Sequence, residues 1–119
     1  MRSHLTFNYM VESSYQLDLL FTALSDSTRR SILLRVAKVE MSISEIAEHY
    51  KLTFAAISKH IKVLEKAGLV VKQKRGKEQV VIIVPAKLDI AREHIDRYAT
   101  LWTDRFDQLE ILLKEEGKS

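Results

Sequence analysis

The sequence of 119 residues contains no cysteine. This absence excludes disulfides, thiolate nucleophiles, zinc sites with sulfur ligands and thiol-based redox sensing. Only three glycines and one proline occur, so the sequence has neither a glycine-rich phosphate-binding loop nor a flexible linker. No apolar run approaches the roughly 20 residues of a membrane-spanning helix, and the N-terminal segment lacks the apolar stretch of a secretory leader. We therefore expect a cytoplasmic protein with no membrane partner.

The length and the charge distribution narrow the choice of fold and partner. The chain is long enough for one hydrophobic core, and we expect a single domain over residues 1–119. The net charge is only +3, but between positions 53 and 78 seven basic residues stand against two acidic ones, a local charge of seven minus two, or +5. Such a run suits a solvated surface as well as a nucleic-acid partner until its position in the fold is known.

Apolar periodicity and capping residues predict four helices in the first half of the chain. Asp26 and Thr53 each precede a predicted helix as an N-cap, and Ser42 with Glu45 has the spacing of a capping box. Gly68 is placed to end the fourth helix in the left-handed conformation. The four predicted helices cover approximately residues 15–24, 27–39, 42–50 and 53–67.

The fourth predicted helix has one apolar and one basic side. On a helical wheel Ile57, Ile61 and Leu64 fall together and are expected to face a core. The opposite side carries small and basic residues, namely Ala55, Lys59, Lys62 and Lys66. The helix therefore buries one face and offers a basic face to a partner.

After the fourth helix the pattern changes to β-rich segments. Two strands are predicted at residues 69–74 and 79–84, and the segment Arg75-Gly76-Lys77-Glu78 between them gives the hairpin a basic tip. Pro85 closes the second strand, and a long last helix is expected over about residues 88–114. The first ten or so residues and residues 115–119 are expected to fray.

Two short helices joined by a tight turn and followed by a basic hairpin are typical of a winged helix-turn-helix. The predicted fold class is therefore mainly α with a small β-hairpin wing. In such a fold the fourth helix enters the major groove of DNA, where small residues at its start allow close approach to base edges, and the hairpin holds the phosphate backbone. The predicted DNA-binding residues are Thr53, Ala55, Ala56, Ser58, Lys59, His60 and Lys62 of the helix and Lys74, Arg75 and Lys77 of the hairpin.

The last predicted helix has an apolar stripe that is longer than a compact chain can cover. The stripe steps by three and four residues through Leu88, Ala91, Ile95, Tyr98, Trp102, Phe106, Leu109 and Leu113. At 1.5 Å per residue it extends about 38 Å, against a diameter of roughly 35 Å for a compact chain of this length. A second copy that covers the remainder would make the protein a homodimer. A hydrophobic pocket between subunits for an unknown small-molecule effector is the alternative interpretation of its aromatic residues.

Four stretches of the sequence resemble the ArsR/SmtB family of prokaryotic repressors. They are ALSDSTRRSIL at residues 23–33, SEIA at 44–47, ISKHIKVL at 57–64 and KAGLV at 66–70. The resemblance covers about residues 17–113 and implies a repressor that binds a pseudo-palindromic operator in double-stranded DNA. It further implies a DNA-binding core and wing at residues 15–85 and a dimerisation helix at residues 86–114. The implied dimer interface lies on the first and last helices, at Leu17, Leu20, Phe21, Ile95, Tyr98, Trp102, Phe106 and Leu109.

Two departures from the family pattern bear on function. Many relatives sense metals through a cysteine-containing third helix or through Asp, His and Glu ligands in the last helix. Here the third helix has no cysteine and the last helix holds a single histidine, His94, so no metal site and no cofactor are expected. The aromatic-rich segment at residues 97–110 resembles a metal-free subgroup. The second departure is Lys51, at a helix end where relatives often carry glycine. A lysine in the left-handed conformation destabilises the fold by about 1 kcal/mol relative to glycine.

No combination of residues predicts a catalytic site, so we do not expect an enzyme. Every glycine falls at the end of a predicted element, and a general acid–base pair needs a cleft that nothing in the pattern predicts. The main alternative to a DNA-binding regulator is a winged-helix protein-interaction module that does not bind DNA. Such modules usually lose the basic face that the fourth helix keeps here.

Overall fold

A computed structural model describes residues 14–117. Residues 1–13, 118 and 119 lie outside this part, and so does the expectation that the N-terminal residues fray. Residues 14–24 are helical (α1), and the elements that follow are helix α2 (Ser27–Lys38), strand β1 (Met41–Ser42), helices α3 (Ile43–Tyr50) and α4 (Phe54–Lys66), strands β2 (Val70–Arg75) and β3 (Glu78–Ile83), and helix α5 (Ala86–Gly117). The fold is mainly helical with a small sheet, as the sequence predicts.

The predicted capping residues start α2 and α3. Asp26 Oδ2 accepts the backbone N–H of Arg29 at 3.0 Å. Ser42 and Glu45 form the predicted capping box, in which each side chain accepts the backbone N–H of the other residue at 3.1 Å. Each bond satisfies a backbone donor that has no partner inside its own helix, so these residues determine where the helices begin.

The tight turn between α3 and α4 contains the predicted left-handed lysine. Lys51 has a φ of 55°, and the backbone N–H of Leu52 donates to the carbonyl oxygen of Ala47 at 3.0 Å. Thr53 then caps α4 by accepting the N–H of Ala56 at 3.1 Å. The turn and the cap together fix the direction in which α4 leaves α3, which is the geometry of a helix-turn-helix.

The hydrophobic core lies between α1 to α4 and the sheet. The apolar side of α4 faces this core, because Ile57, Ile61 and Leu64 are fully buried. Side chains from every neighbouring element meet them, including Leu20, Ile32, Ile46, Leu69 and Val81. The basic side of α4 is consequently turned away from the protein.

Gly68 ends α4 as predicted. Its φ is 77°, and a Cβ added to it would lie 3.1 Å from Cγ of Lys87 at the start of α5. The backbone N–H of the following residue, Leu69, donates to the carbonyl oxygen of Leu64 at 3.0 Å. The chain is thereby turned directly from the end of α4 into β2, which places the hairpin beside the helix.

The hairpin is joined by a third strand that the sequence analysis missed. The sheet is antiparallel with the order β1-β3-β2. Met41 pairs with Val81, and Ser42 pairs with Val80. The prediction of a two-stranded wing is therefore incomplete, because a strand of two residues is too short to show the alternation on which strand prediction depends.

The hairpin turn is tighter than the predicted four-residue tip. Arg75 pairs directly with Glu78, which leaves only Gly76 and Lys77 in the loop. Gly76 has a φ of 63°, the positive value that the first position of a two-residue hairpin loop requires.

Helix α5 projects away from the rest of the molecule. Ala91 is its one buried residue, and every residue from Ile95 to Gly117 is exposed. The radius of gyration is 20.6 Å and the longest dimension 73 Å, so the compact shape assumed for the single chain is wrong. The expected fraying is also wrong for residues 115–117, which continue the helix.

Candidate nucleic-acid interface

The outer face of α4 carries uncompensated positive charge. Lys59, Lys62 and Lys66 are exposed on the side opposite the buried isoleucines. Within residues 14–117, none of these three ammonium groups forms an ion pair, whereas Lys72 pairs with Glu65 at 3.4 Å. Their charges are free to attract an anionic partner.

The first turn of α4 lets a partner come close to the backbone. Thr53 and Ala55 are exposed, while Ala56 and Ser58 are half-buried. The first turn holds no acidic side chain. The short side chains at these four positions, the absence of negative charge and the positive end of the helix dipole all favour approach of a polyanion at this end.

His60 faces the junction of α1 and α2 more than it faces solvent. Its Nδ1 lies 3.5 Å from Nη1 of Arg29 and 3.9 Å from Oδ2 of Asp26. The same ring nitrogen makes both contacts, so the imidazole is held at this junction. The backbone N–H of Arg29 lowers the pKa of Asp26, and its guanidinium acts in the same direction. This arrangement gives His60 a packing role, and a contact with DNA stays a prediction.

Two arginines of α2 close the end of α1. Arg29 donates from Nε to the carbonyl oxygen of Ala23 at 3.0 Å and from Nη2 to that of Thr22 at 2.9 Å. Arg30 donates from Nη1 to the carbonyl oxygen of Leu24 at 2.8 Å. The carbonyl oxygen of Thr22 also accepts from the backbone N–H and the hydroxyl of Ser25, at 3.2 and 2.7 Å, so Ser25 and the two arginines together cap the C-terminal end of α1.

The wing presents three exposed lysines, of which Lys72 pairs with Glu65, and one arginine held by an ion pair. Lys74 and Lys77 are exposed. Arg75 donates from Nη1 to Oε2 of Glu40 at 2.6 Å and from Nη2 to Oε1 of Gln73 at 3.0 Å. Because the pair with Glu40 is about half exposed, it contributes roughly 0–1 kcal/mol. Nothing in the sequence predicts this pair, because no local pattern indicates a contact between residues that far apart.

The predicted dimer residues of α5 form one exposed apolar stripe. Trp102 is 79% exposed and Phe106 67% exposed, and Ile95, Tyr98 and Leu109 are also exposed. A depression along this stripe is lined by Leu101, Trp102, Arg105, Phe106 and Leu109. All of its walls come from one helix, so only a second surface can enclose a ligand there.

The predicted dimer residues of α1 divide between the surface and the core. Phe21 is exposed and Leu17 is half-buried. Leu20 is only 1% exposed and packs in the hydrophobic core, so almost none of its surface is left for a second chain, and its place in an interface stays a prediction. Helical spacing places Leu17, Leu20 and Phe21 on one side of α1 but does not show which of them the protomer itself covers.

Sequence analysis also missed Phe54, the first residue of α4. Its side chain is 54% exposed although it lies three residues before the buried Ile57. That spacing alone suggests burial, whereas its place directly after the cap Thr53 indicates the first turn, where the helix leaves the core. Phe54 therefore adds an aromatic group to the exposed start of α4.

Two further features of the described residues concern ligands and membranes. Among residues 14–117, no three His, Asp or Glu side chains lie close enough together to hold a metal ion. No helix in that part of the chain combines the length and the apolar character needed to cross a bilayer.

The sequence matches one family model and several transcriptional regulators. A family model described as "Bacterial regulatory protein, arsR family" matches residues 26–72. HTH-type transcriptional regulator Rv2034 of Mycobacterium tuberculosis (strain ATCC 25618 / H37Rv) is 33% identical over 100 residues, which cover 84% of this chain and 91% of the relative. The transcriptional repressor SdpR of Bacillus subtilis (strain 168) is 35% identical over 57 residues, which cover 48% of this chain and 63% of SdpR.

Solved structures show the same architecture. An ArsR-like transcriptional regulator from Rhodococcus sp. RHA1 superimposes with a TM-score of 0.76 at 28% identity, over 88% of this chain and 96% of that one. A homodimeric winged helix-turn-helix DNA-binding domain, Mb0332 from Mycobacterium bovis, has a TM-score of 0.59 at 19% identity over 78% of this chain and 83% of that one, which shows the fold alone. With this fold, and with a relative matched over most of both chains, the chain belongs to the arsR family of bacterial regulatory proteins: it is a winged helix-turn-helix transcriptional regulator and not an enzyme.

Proposed function

We propose that this regulator is a homodimeric repressor that binds a pseudo-palindromic operator in double-stranded DNA without a metal ion. Helix α4 lies in the major groove, the β2–β3 hairpin lies along the flanking phosphates, and α5 with α1 joins the two subunits. The protein acts in the cytoplasm, where bacterial promoters are located. Bound at a promoter, it blocks transcription.

The observation that carries this proposal is the division of α4 into two faces. Ile57, Ile61 and Leu64 anchor one face in the core, so the helix is held rigidly with its other face outward. That outer face carries Lys59 and Lys62, whose charges no carboxylate of the described residues neutralises. A rigid helix whose outer face carries the short Ala55 and the basic Lys59 and Lys62 suits a major groove, which admits one helix.

The wing supports the same partner. Lys74 and Lys77 extend the positive charge beyond α4, and Arg75 is held near them by Glu40. A hairpin contributes phosphate contacts, which fix the position of a protein on the duplex but do not distinguish sequences. The predicted base contacts therefore belong to α4 and the predicted backbone contacts to the wing.

The exposed stripe of α5 supports a homodimer. Burying Tyr98, Trp102 and Phe106 against a second copy contributes roughly 2 kcal/mol for each side chain, from both subunits at once. The same surface serves both partners around a two-fold axis. Such an axis gives the paired α4 helices the symmetry of a pseudo-palindromic operator. If the second subunit covers the depression beside Trp102 without filling it, an enclosed pocket for a small-molecule effector remains between the subunits.

Duplex binding with a steep salt dependence tests the proposal. If a dimer neutralises about six phosphates, the plot of log K against log salt concentration should have a slope of roughly −5. Fluorescence anisotropy of a labelled duplex, measured between about 50 and 200 mM salt, gives this slope. A single-stranded oligonucleotide of equal length serves as the control and should bind more weakly. A slope near zero, or no binding at the lowest salt concentration, would refute the proposal.

A further inference from the structure

We infer that Phe54 is a specificity-determining residue that contacts the C5-methyl group of a thymine in the major groove. The inference rests on the proposed function, because it requires that the start of α4 reaches base edges. It goes further, because it assigns a chemical class of base contact to a residue outside the predicted DNA-binding set. The consequence is a preference for thymine at one or more positions of each half-site.

Phe54 lies at the end of α4 that is proposed to reach the bases. It is the first residue of α4 and follows the cap Thr53 directly. In helix-turn-helix proteins the N-terminal residues of the recognition helix contact base edges. Its immediate neighbour Ala55 is exposed and Ser58, one turn further along, is half-buried. Neither side chain is large enough to keep a base pair away from the phenyl ring.

The phenyl ring of Phe54 is open to solvent and available to a partner. Phe54 is 54% exposed, and it is not among the side chains of the core or those packed against it. Single exposed aromatic residues are ordinary on a protein surface, so the position of the ring in the fold decides its role. At the end of α4 that faces the partner, however, an exposed ring meets DNA before any other large side chain of the first turn.

The first turns of α4 lack the polar side chains that usually hydrogen-bond to bases. Residues 53–58 read TFAAIS and contain none of the Arg, Lys, Asn, Gln, Asp or Glu side chains that form the usual hydrogen-bonded base contacts. The hydroxyl oxygen of Thr53 is engaged as the helix cap. Hydrogen-bonded contacts near this end are left to Ser58 and to Lys59 beyond it. The thymine methyl is the one apolar group that base pairs present in the major groove, and it therefore matches an exposed phenyl ring.

The test removes the methyl group from the DNA and the ring from the protein. A duplex is first selected from a random pool with the full chain, and each thymine of the selected site is then replaced by deoxyuridine, which lacks only the C5-methyl. Loss of one buried methyl group should weaken binding roughly fourfold, and loss in both half-sites roughly fifteenfold. The Phe54→Ala variant should bind the thymine and deoxyuridine duplexes equally well.

Two controls separate this contact from a general effect. Leu34→Ala removes an apolar side chain from α2 that is more exposed than Phe54, 70% against 54%, and should leave the full response to deoxyuridine intact. Phe54→Leu keeps an apolar group at the start of α4 and should retain part of the response. Because Phe54 lies outside the core, circular dichroism should show that its variants remain folded.

The outcomes distinguish the inference from the function on which it rests. A chain that enriches a duplex but does not respond to deoxyuridine, or a Phe54→Ala variant that responds as fully as the wild type, overturns the inference and leaves the proposed function standing. A chain that enriches no duplex overturns the proposed function and the inference together.

Discussion

Replacing Trp102 by Glu is expected to convert the proposed homodimer into folded monomers. The substitution places a carboxylate in the middle of the apolar stripe of α5, and the two-fold axis places a second one on the partner. Each subunit loses the free energy gained by burying an indole ring. Each also acquires the desolvation cost of an unpaired charge, several kcal/mol per site. The dimer dissociation constant should therefore rise at least about a thousandfold, since every 1.4 kcal/mol corresponds to a factor of ten.

The monomer should stay folded because α5 contributes little to the core. Ala91 is the buried residue of this helix, and Trp102 lies three turns beyond it. Sedimentation at micromolar concentration should give about 13.8 kDa for the variant and about twice that for the wild type. Thr100→Glu introduces the same charge on the other side of α5 and should remain dimeric. A dimeric Trp102→Glu protein, or a monomeric wild type, would show that this stripe does not join the subunits.

Replacing both Lys59 and Lys62 by Glu is expected to abolish operator binding. The change turns two attractive charges per subunit into repulsive ones on the face proposed to enter the groove. Since phosphate attraction supplies most of the affinity of such proteins, binding at physiological salt should weaken at least about a thousandfold. Both side chains are exposed and unpaired within the described residues, so stability and dimerisation should be unchanged.

Two further variants show whether the location of the charge change, and not only its size, determines the loss of binding. Arg97→Glu with Lys114→Glu makes the same change in net charge on α5, away from the apolar stripe, and should keep most of the affinity. Arg75→Ala with Lys77→Ala should weaken selected and scrambled duplexes by the same factor, because the wing is proposed to contact phosphates. If reversal of the α4 lysines costs no more than the control on α5, the proposed role of α4 is wrong.

The features that the sequence predicted correctly depend on near neighbours along the chain. Asp26 and the pair Ser42 and Glu45 cap helices through contacts three residues apart, and Lys51 and Gly68 adopt the left-handed conformation at helix ends. Interactions of this kind are readable because residue type and spacing are enough to specify them. The division of α4 into an apolar and a basic face is equally local, which is why the candidate interface was largely predictable.

The features that the sequence did not predict depend on distant parts of the chain. The ion pair of Arg75 with Glu40 forms only because β1 joins the hairpin, and a strand of two residues leaves no pattern. Leu20 shares an apolar side with Phe21, but only the packed protomer shows that Leu20 is covered. Phe54 has the spacing of a core residue and is exposed because the helix leaves the core at its first turn.

Selection of duplexes from a random pool, followed by measurement of the mass of the complex, tests the central claim most directly. The account predicts an enriched site with two inverted half-sites whose centres lie about 10 base pairs apart, one helical turn or roughly 34 Å, because one dimer presents two α4 helices to successive major grooves. It also predicts two protein chains for each bound duplex. Enrichment of no sequence, or of a single asymmetric site occupied by one chain, would contradict it.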